Sequence, residues 1–176
     1  MNRRVVTGTD QNGKSVVTSN QEIEAITVAL MPGLEFRPAW GADGTVSLPT
    51  DGTPATTPAY FPPVHGFRFG YVTIPPEGAA PAAAPNDVAN AMAEVEEKLP
   101  GLIAHMEPDD PGMHTSDTID FDVVLSGEIW LELDDGAEVK LEAGDCVVQN
   151  GTRHAWHNRS TQPCILAVAL VGALRA

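Results

Sequence analysis

The stretch Pro111-Gly112-Met113-His114-Thr115-Ser116-Asp117-Thr118-Ile119-Asp120-Phe121-Asp122-Val123-Val124-Leu125-Ser126-Gly127 alternates polar and apolar side chains from residue 118 onward. Successive side chains of a strand point to opposite faces, so Asp120, Asp122 and Val124 share one face and Ile119, Phe121, Val123 and Leu125 the other. If the acids line the inside of a barrel wall, two carboxylates ~6.6 Å apart enter an apolar interior. An ionised carboxylate there needs a cation, strong donors or a raised pKa.

Working outward, residues 128–134, 138–142, 145–150, 153–158 and 163–172 read as further short strands. Hairpin turns are expected at Asp134-Asp135-Gly136 and Gln149-Asn150-Gly151. Strands this short and evenly spaced point to a sandwich or closed barrel. Glu128, Glu132 and Asp134 alternate with Ile129, Leu131 and Leu133, a solvated face against a core face. Within residues 144–158, His154, Trp156 and Asn158 share a face, so His154 can meet His114 and Asp120 across the barrel.

Upstream, residues 4–7, 15–18, 26–30 and 34–36 are β-rich pieces, 41–66 read as a long loop and 67–74 as a strand. Phe67, Phe69 and Tyr71 share one face of that strand and Arg68 takes the other, where a surface position is expected, as for Arg153. A Pro/Ala linker covers 75–86. A helix is predicted over about 87–99, capped by Asn86 and packing through Val88, Met92, Val95 and Leu99, with Pro100-Gly101 ending it. His65 and His105 are expected at the surface, and Cys146 in the core.

The chain has 176 residues, which fits a single domain. Acids outnumber Lys and Arg 24 to 10, for a formal charge of −14, so nucleic acid and anionic membrane surfaces are poor partners. Two cysteines make no disulfide framework. No apolar stretch follows Met1-Asn2-Arg3-Arg4, so a signal peptide is not expected, and the longest apolar run, 164–174, is short of the ~18 residues of a span. A cytoplasmic protein is the expectation.

The two central stretches resemble the cupin family, small β-barrels of jelly-roll form marked by two short motifs. The first motif has His-x-His, a carboxylate a few residues on, and a glycine at the next turn. Here His114, Asp120 and Gly127 match, Ser116 stands at the second histidine, and Asp120 stands for the usual longer Glu. The second motif matches at Gly144, Gly151, His154 and Asn158, with Gln149 at its common proline. The resemblance covers residues 112–172. It implies an all-β cupin jelly-roll barrel with an N-terminal β extension (residues 1–40, joining the barrel or a dimer interface), a loop-rich part over 41–111 carrying the strand and the helix, and a cupin core over 112–172.

The resemblance further implies a divalent metal (Fe, Mn or Zn) on His114, Asp120 and His154, a two-His-one-carboxylate set with open positions. Asp122 then becomes a candidate general acid or base, or a buried acid satisfied by hydroxyls. Ser116, Gln149 and Trp156 become candidate pocket-lining residues, with plain core packing the other reading of Trp156. The expected function is a metal-dependent enzyme on a small organic substrate, with oxygenase, lyase or dehydratase, isomerase and cyclase chemistry all open. The alternative is a non-catalytic small-molecule-binding barrel with a degenerate metal site. A homodimer is expected.

Overall fold

The computed structural model describes residues 3–79, 87–110 and 112–176. The chain runs β1 (Arg3–Thr9), β2 (Ser15–Glu22), β3 (Glu35–Ala42), β4 (Phe67–Ile74), α1 (Val88–Lys98), β5 (Thr118–Ser126), β6 (Glu128–Glu132), β7 (Glu138–Glu142), β8 (Cys146–Asn150), β9 (Ala155–His157) and β10 (Cys164–Gly172). A five-stranded sheet has the order β3-β4-β10-β5-β8, a three-stranded sheet β7-β6-β9, and β1-β2 form a separate hairpin. The two main sheets share a core of Ile74, Val124, Cys164 and Leu166 from one and Ile129, Leu131 and Leu141 from the other. This is the jelly-roll arrangement, and its ladders stay in separate sheets rather than closing into one hydrogen-bonded ring.

Alternation on β5 is as the sequence predicts: Thr118, Asp120, Asp122 and Val124 are buried, while Ile119, Phe121, Val123 and Leu125 are exposed. The strand ends at Gly127, whose φ of 80° suits glycine and where a Cβ would stand 2.7 Å from the Pro163 carbonyl oxygen. The turn at Asp134–Gly136 joins β6 and β7 as expected. The one at residues 149–151 is no hairpin, because β8 and β9 belong to different sheets and the chain crosses between them there.

The earlier part of the chain completes the sheet and builds a second core. β4 pairs along the whole of β10, and β3 pairs with β4. Residues 26–30 do not form the expected strand; Ile26 makes only an isolated bridge to Phe36. Instead Val28 and Phe36 pack with Val95, Leu99 and Leu102. Helix α1 is capped by Asp87, whose carboxylate accepts from the Asn90 N–H at 3.0 Å; Asn86 lies outside the described residues, as does most of the 75–86 linker. The buried stripe is Ala91, Val95 and Leu99, while Val88 and Met92 are exposed. The apolar face is thus rotated one position from the prediction, with Ala91 buried in place of Met92. Glu94 accepts from the Ala29 N–H and Lys98 donates to the Thr27 carbonyl, tying the 26–34 segment to the helix.

Arg68 is not at the surface. Its guanidinium donates to the carbonyls of Ala42, Ala59 and Phe67 and pairs with Asp43 at 2.6 Å, so it holds the 43–66 loop in place. Arg153 is half-exposed and forks onto Glu107, with Asp110 and Asp134 also in reach. Cys146 is exposed rather than in the core, and Cys164 is the buried thiol; β8 turns Val147 and Gln149 inward and Cys146 outward.

Candidate functional site

His114 and His154 are placed by backbone pairing. Each donates its N–H to the other's carbonyl, at 2.9 and 3.0 Å, an isolated antiparallel bridge outside the strands. Directly opposed residues of such a bridge carry neighbouring side chains, and the imidazoles stand with ring centroids 4.1 Å apart. His154 also meets the edge of Trp156 at 6.0 Å.

Each ring uses Nδ1 on its own chain. His114 Nδ1 lies 3.0 Å from the Gly112 carbonyl, and His154 Nδ1 lies 2.9 Å from the Thr152 carbonyl. A carbonyl only accepts, so Nδ1 carries the proton and Nε2 is left with its lone pair. Burial, helped by the neighbouring imidazole, pushes His154 down to about 4. Burial also lowers His114, against the opposing Gly112 carbonyl. Both rings are neutral at pH 7.

Asp120 and Asp122 come from the inner face of β5, flanked by β10 and β8. Burial raises Asp120 to about 6, and a hydrogen bond from the Thr118 hydroxyl holds it from going higher. Burial and then the charge of Asp120 raise Asp122 to about 7. Ser116 lies behind them, its hydroxyl 2.7 Å from that of Thr118. Either hydroxyl can donate across this contact; with Ser116 as the donor, the Thr118 proton is left for Asp120. One Asp120 carboxylate oxygen, Oδ1, is buried with no partner among the described residues, and so is Nε2 of its cross-strand neighbour Gln149.

Asp120, Asp122, His114, His154 and Trp156 all line one cavity of about 690 Å³, a size suited to a small organic molecule. Ser116 and Gln149 are buried but do not line it. The remaining wall is mainly apolar: Met31, Leu34, Phe61, Ile103, Val168 and others. Tyr60 also lines it; burial, then Asp120 and Asp122, push its phenol well above the ordinary range, so it stays protonated. Tyr60 and Phe61 lie within the 41–66 stretch that the sequence predicts as a long loop. The available signal was an aromatic doublet in an otherwise polar, Gly/Thr/Pro-rich stretch, and Arg68 together with the Tyr60 N–H to Pro100 carbonyl bond of 2.8 Å brings it inside. His105 is half-buried against Phe61, with ring centroids 4.5 Å apart, rather than at the surface, while His65 is exposed.

The donor types suit a divalent ion in part. Two neutral imidazoles with Nδ1 anchored and Nε2 free are what a metal needs. Asp120 does not join them: among the described residues no group of three or more His, Cys, Asp or Glu is gathered to hold an ion.

Residues 102–171 match the Cupin_2 family, described as a cupin domain. A phomopsin biosynthesis cluster protein C' of Diaporthe leptostromiformis is 54% identical over 48 residues, 27% of this chain and 25% of that protein. The cupin-domain-containing oxidoreductase virC of Hypocrea virens is 39% identical over 46 residues, 26% of this chain and 24% of that protein. The matched stretch thus spans about a quarter of these relatives' length. Among solved structures, the Schizosaccharomyces pombe Cnp3 cupin domain superposes with a TM-score of 0.50 over 98% of this chain and 88% of that one, at 11% identity. That likeness is one of fold.

Proposed function

We propose that this chain, whose residues 102–171 match the cupin domain family, is an enzyme moving a proton on a small, largely apolar organic molecule held in the 690 Å³ cavity. The observation that carries this reading is a pair of inward carboxyl groups on β5, one with an unpartnered oxygen, facing the same cavity as two imidazoles with free lone pairs. Asp120 is the base: its carboxylate accepts a proton from the substrate, and the Thr118 hydroxyl favours its ionised form. Asp122 is the acid, holding its proton near neutral pH and returning it to an oxygen or carbon of the substrate. The apolar wall excludes water and fixes the body of the molecule, and the Tyr60 hydroxyl is a donor for a polar group on it. Positioned groups of this kind accelerate proton transfer by roughly 10²–10⁴-fold.

A second reading is favoured by the anchored histidines. His114 and His154 would hold a divalent ion, which would polarise a substrate oxygen as a Lewis acid. Elemental analysis separates the two: about one ion per chain, lost in His114→Ala and His154→Ala, supports the metal-dependent enzyme.

The acid–base reading is tested by incubating the protein in D2O with small ketones, hydroxyketones and diketones and following deuterium incorporation by mass spectrometry. Incorporation that falls about 100-fold in Asp122→Asn is the expected result. Equal incorporation in the variant removes Asp122 from the chemistry. Binding of such compounds with no exchange or turnover at all moves the assignment to a non-catalytic binding barrel.

A further inference from the structure

Among the described residues, neither lysine nor arginine lines the 690 Å³ cavity. Its ionisable carboxyls are Asp120, Asp122 and Glu107, and Glu107 is already forked by Arg153. The fold sends cations elsewhere. A second cavity, of about 350 Å³, adjoins the first; Phe36, Tyr60, Val72, Val168 and Leu170 line both, while Arg4, Arg37, Arg68 and Lys98 line the smaller alone. The imidazoles of the larger cavity supply no positive charge either, since burial and a second ring 4.1 Å away both oppose protonation of His154. A carboxylate or phosphate on a ligand would enter an apolar, acid-lined space without a partner, at the full cost of losing its water.

Hydrogen-bonding capacity narrows the class further. His114 and His154 line the cavity, and with Nδ1 committed to the Gly112 and Thr152 carbonyls each presents Nε2 as an acceptor. Among the described residues neither Nε2 has a hydrogen-bond partner, and neither atom is sealed from the cavity. The Asp122 carboxyl and the Tyr60 hydroxyl are in the same condition. Both are donors, because burial keeps the phenol protonated and holds a proton on Asp122 near neutral pH. The phenol serves this cavity rather than the smaller one: it feels Asp120 and Asp122, which line only the larger. Two acceptor-only atoms and two donors call for a ligand with a donor and an acceptor of its own. The rest of the wall, including Met31, Leu34, Phe61 and Ile103, takes an apolar body.

We infer that the ligand of this cavity is an uncharged hydroxy-carbonyl compound with an apolar body. Its hydroxyl donates to Nε2 of His114 or His154, its carbonyl oxygen accepts from Tyr60, and anions are turned away. The assignment rests on the acid–base reading for its choice of cavity and gives the two histidines a substrate-binding part in it. With the carbonyl on Tyr60, the Asp122 proton stays available for transfer.

The test is isothermal titration calorimetry of the whole chain, with EDTA present, against three ligands of one shape: phenacyl alcohol, acetophenone, which lacks the hydroxyl, and phenylglyoxylate, which carries a carboxylate in its place. Phenacyl alcohol is expected to bind at least tenfold more tightly than either. Replacing both rings, as His114→Phe with His154→Phe, should abolish the preference over acetophenone. Tyr60→Phe should weaken phenacyl alcohol and acetophenone by a similar factor and leave their ratio unchanged. Acetophenone or phenylglyoxylate binding as tightly as phenacyl alcohol would overturn the inference, as would no binding of phenacyl alcohol or an undiminished preference in the paired histidine variant. The three-ligand comparison uses the unaltered protein, so it decides the matter even where a variant fails to fold. Deuterium exchange into phenacyl alcohol is a separate readout: preference without exchange removes the acid–base reading and keeps the ligand class, and exchange without preference does the reverse.

Discussion

Asp122 is a side chain the fold holds far from its ordinary chemistry, moved from 3.8 to about 7 mainly by burial. Between those values the folded chain keeps a proton that the unfolded chain releases, so this group lowers stability as pH rises, by about 1.4 kcal/mol per unit across that window. His154 acts with the opposite sign. Its pKa is lowered to about 4, so between there and 6.5 the unfolded chain takes up a proton that the folded one refuses, and stability is lost as pH falls. Asp122→Asn isolates the first effect: thermal unfolding should find the variant more stable than the parent by about 4 kcal/mol at pH 8, with the advantage gone by pH 4. An equal shift at both pH values would mean that Asp122 is not held neutral. That the two acids face inward is readable from alternation alone, as is the turn at Gly127. That Ser116 supports Thr118 instead of facing the cavity is not, because side-chain direction before the strand begins follows no period.

Elements show the same division. The strands from residue 118 onward follow a period-two pattern strong enough to locate each of them. Helix α1 was readable as a helix but not in its facing, since alanine carries little hydrophobic signal; Val95 and Leu99 pack it against Phe36 and Leu102. The buried stripe makes a direct prediction. Leu99→Ala should destabilise by about 2–4 kcal/mol, as for a fully buried leucine, and Met92→Ala by less than about 0.5 kcal/mol, as for an exposed position. Chemical denaturation measures both, and a reversal of the order would restore the Val88–Met92 face. The 43–66 loop was beyond sequence reading because Arg68, a strand residue outside it, gathers it through carbonyl contacts that carry no side-chain signature.

At the scale of the molecule, two facing sheets and a second apolar core enclose adjoining cavities of opposite character, one with carboxyls and imidazoles, one with guanidiniums. The outer face of the five-stranded sheet exposes Phe69, Ile119, Phe121, Val123 and Leu125, more than scattered surface apolar residues. The homodimer that the family resemblance implies remains our proposal for the assembly; sedimentation should give the mass of two chains, and a single-chain mass at micromolar concentration counts against it. No helix among the described residues is long and apolar enough to cross a membrane. Everything said of function stands on the larger cavity holding a carboxyl group that keeps its proton near neutral pH. Carbon-13 NMR of the aspartate carboxyls, assigned with Asp120→Asn and Asp122→Asn, reads this directly: two resonances should titrate with midpoints near 6 and near 7, whereas both groups fully ionised by pH 5 would contradict the account.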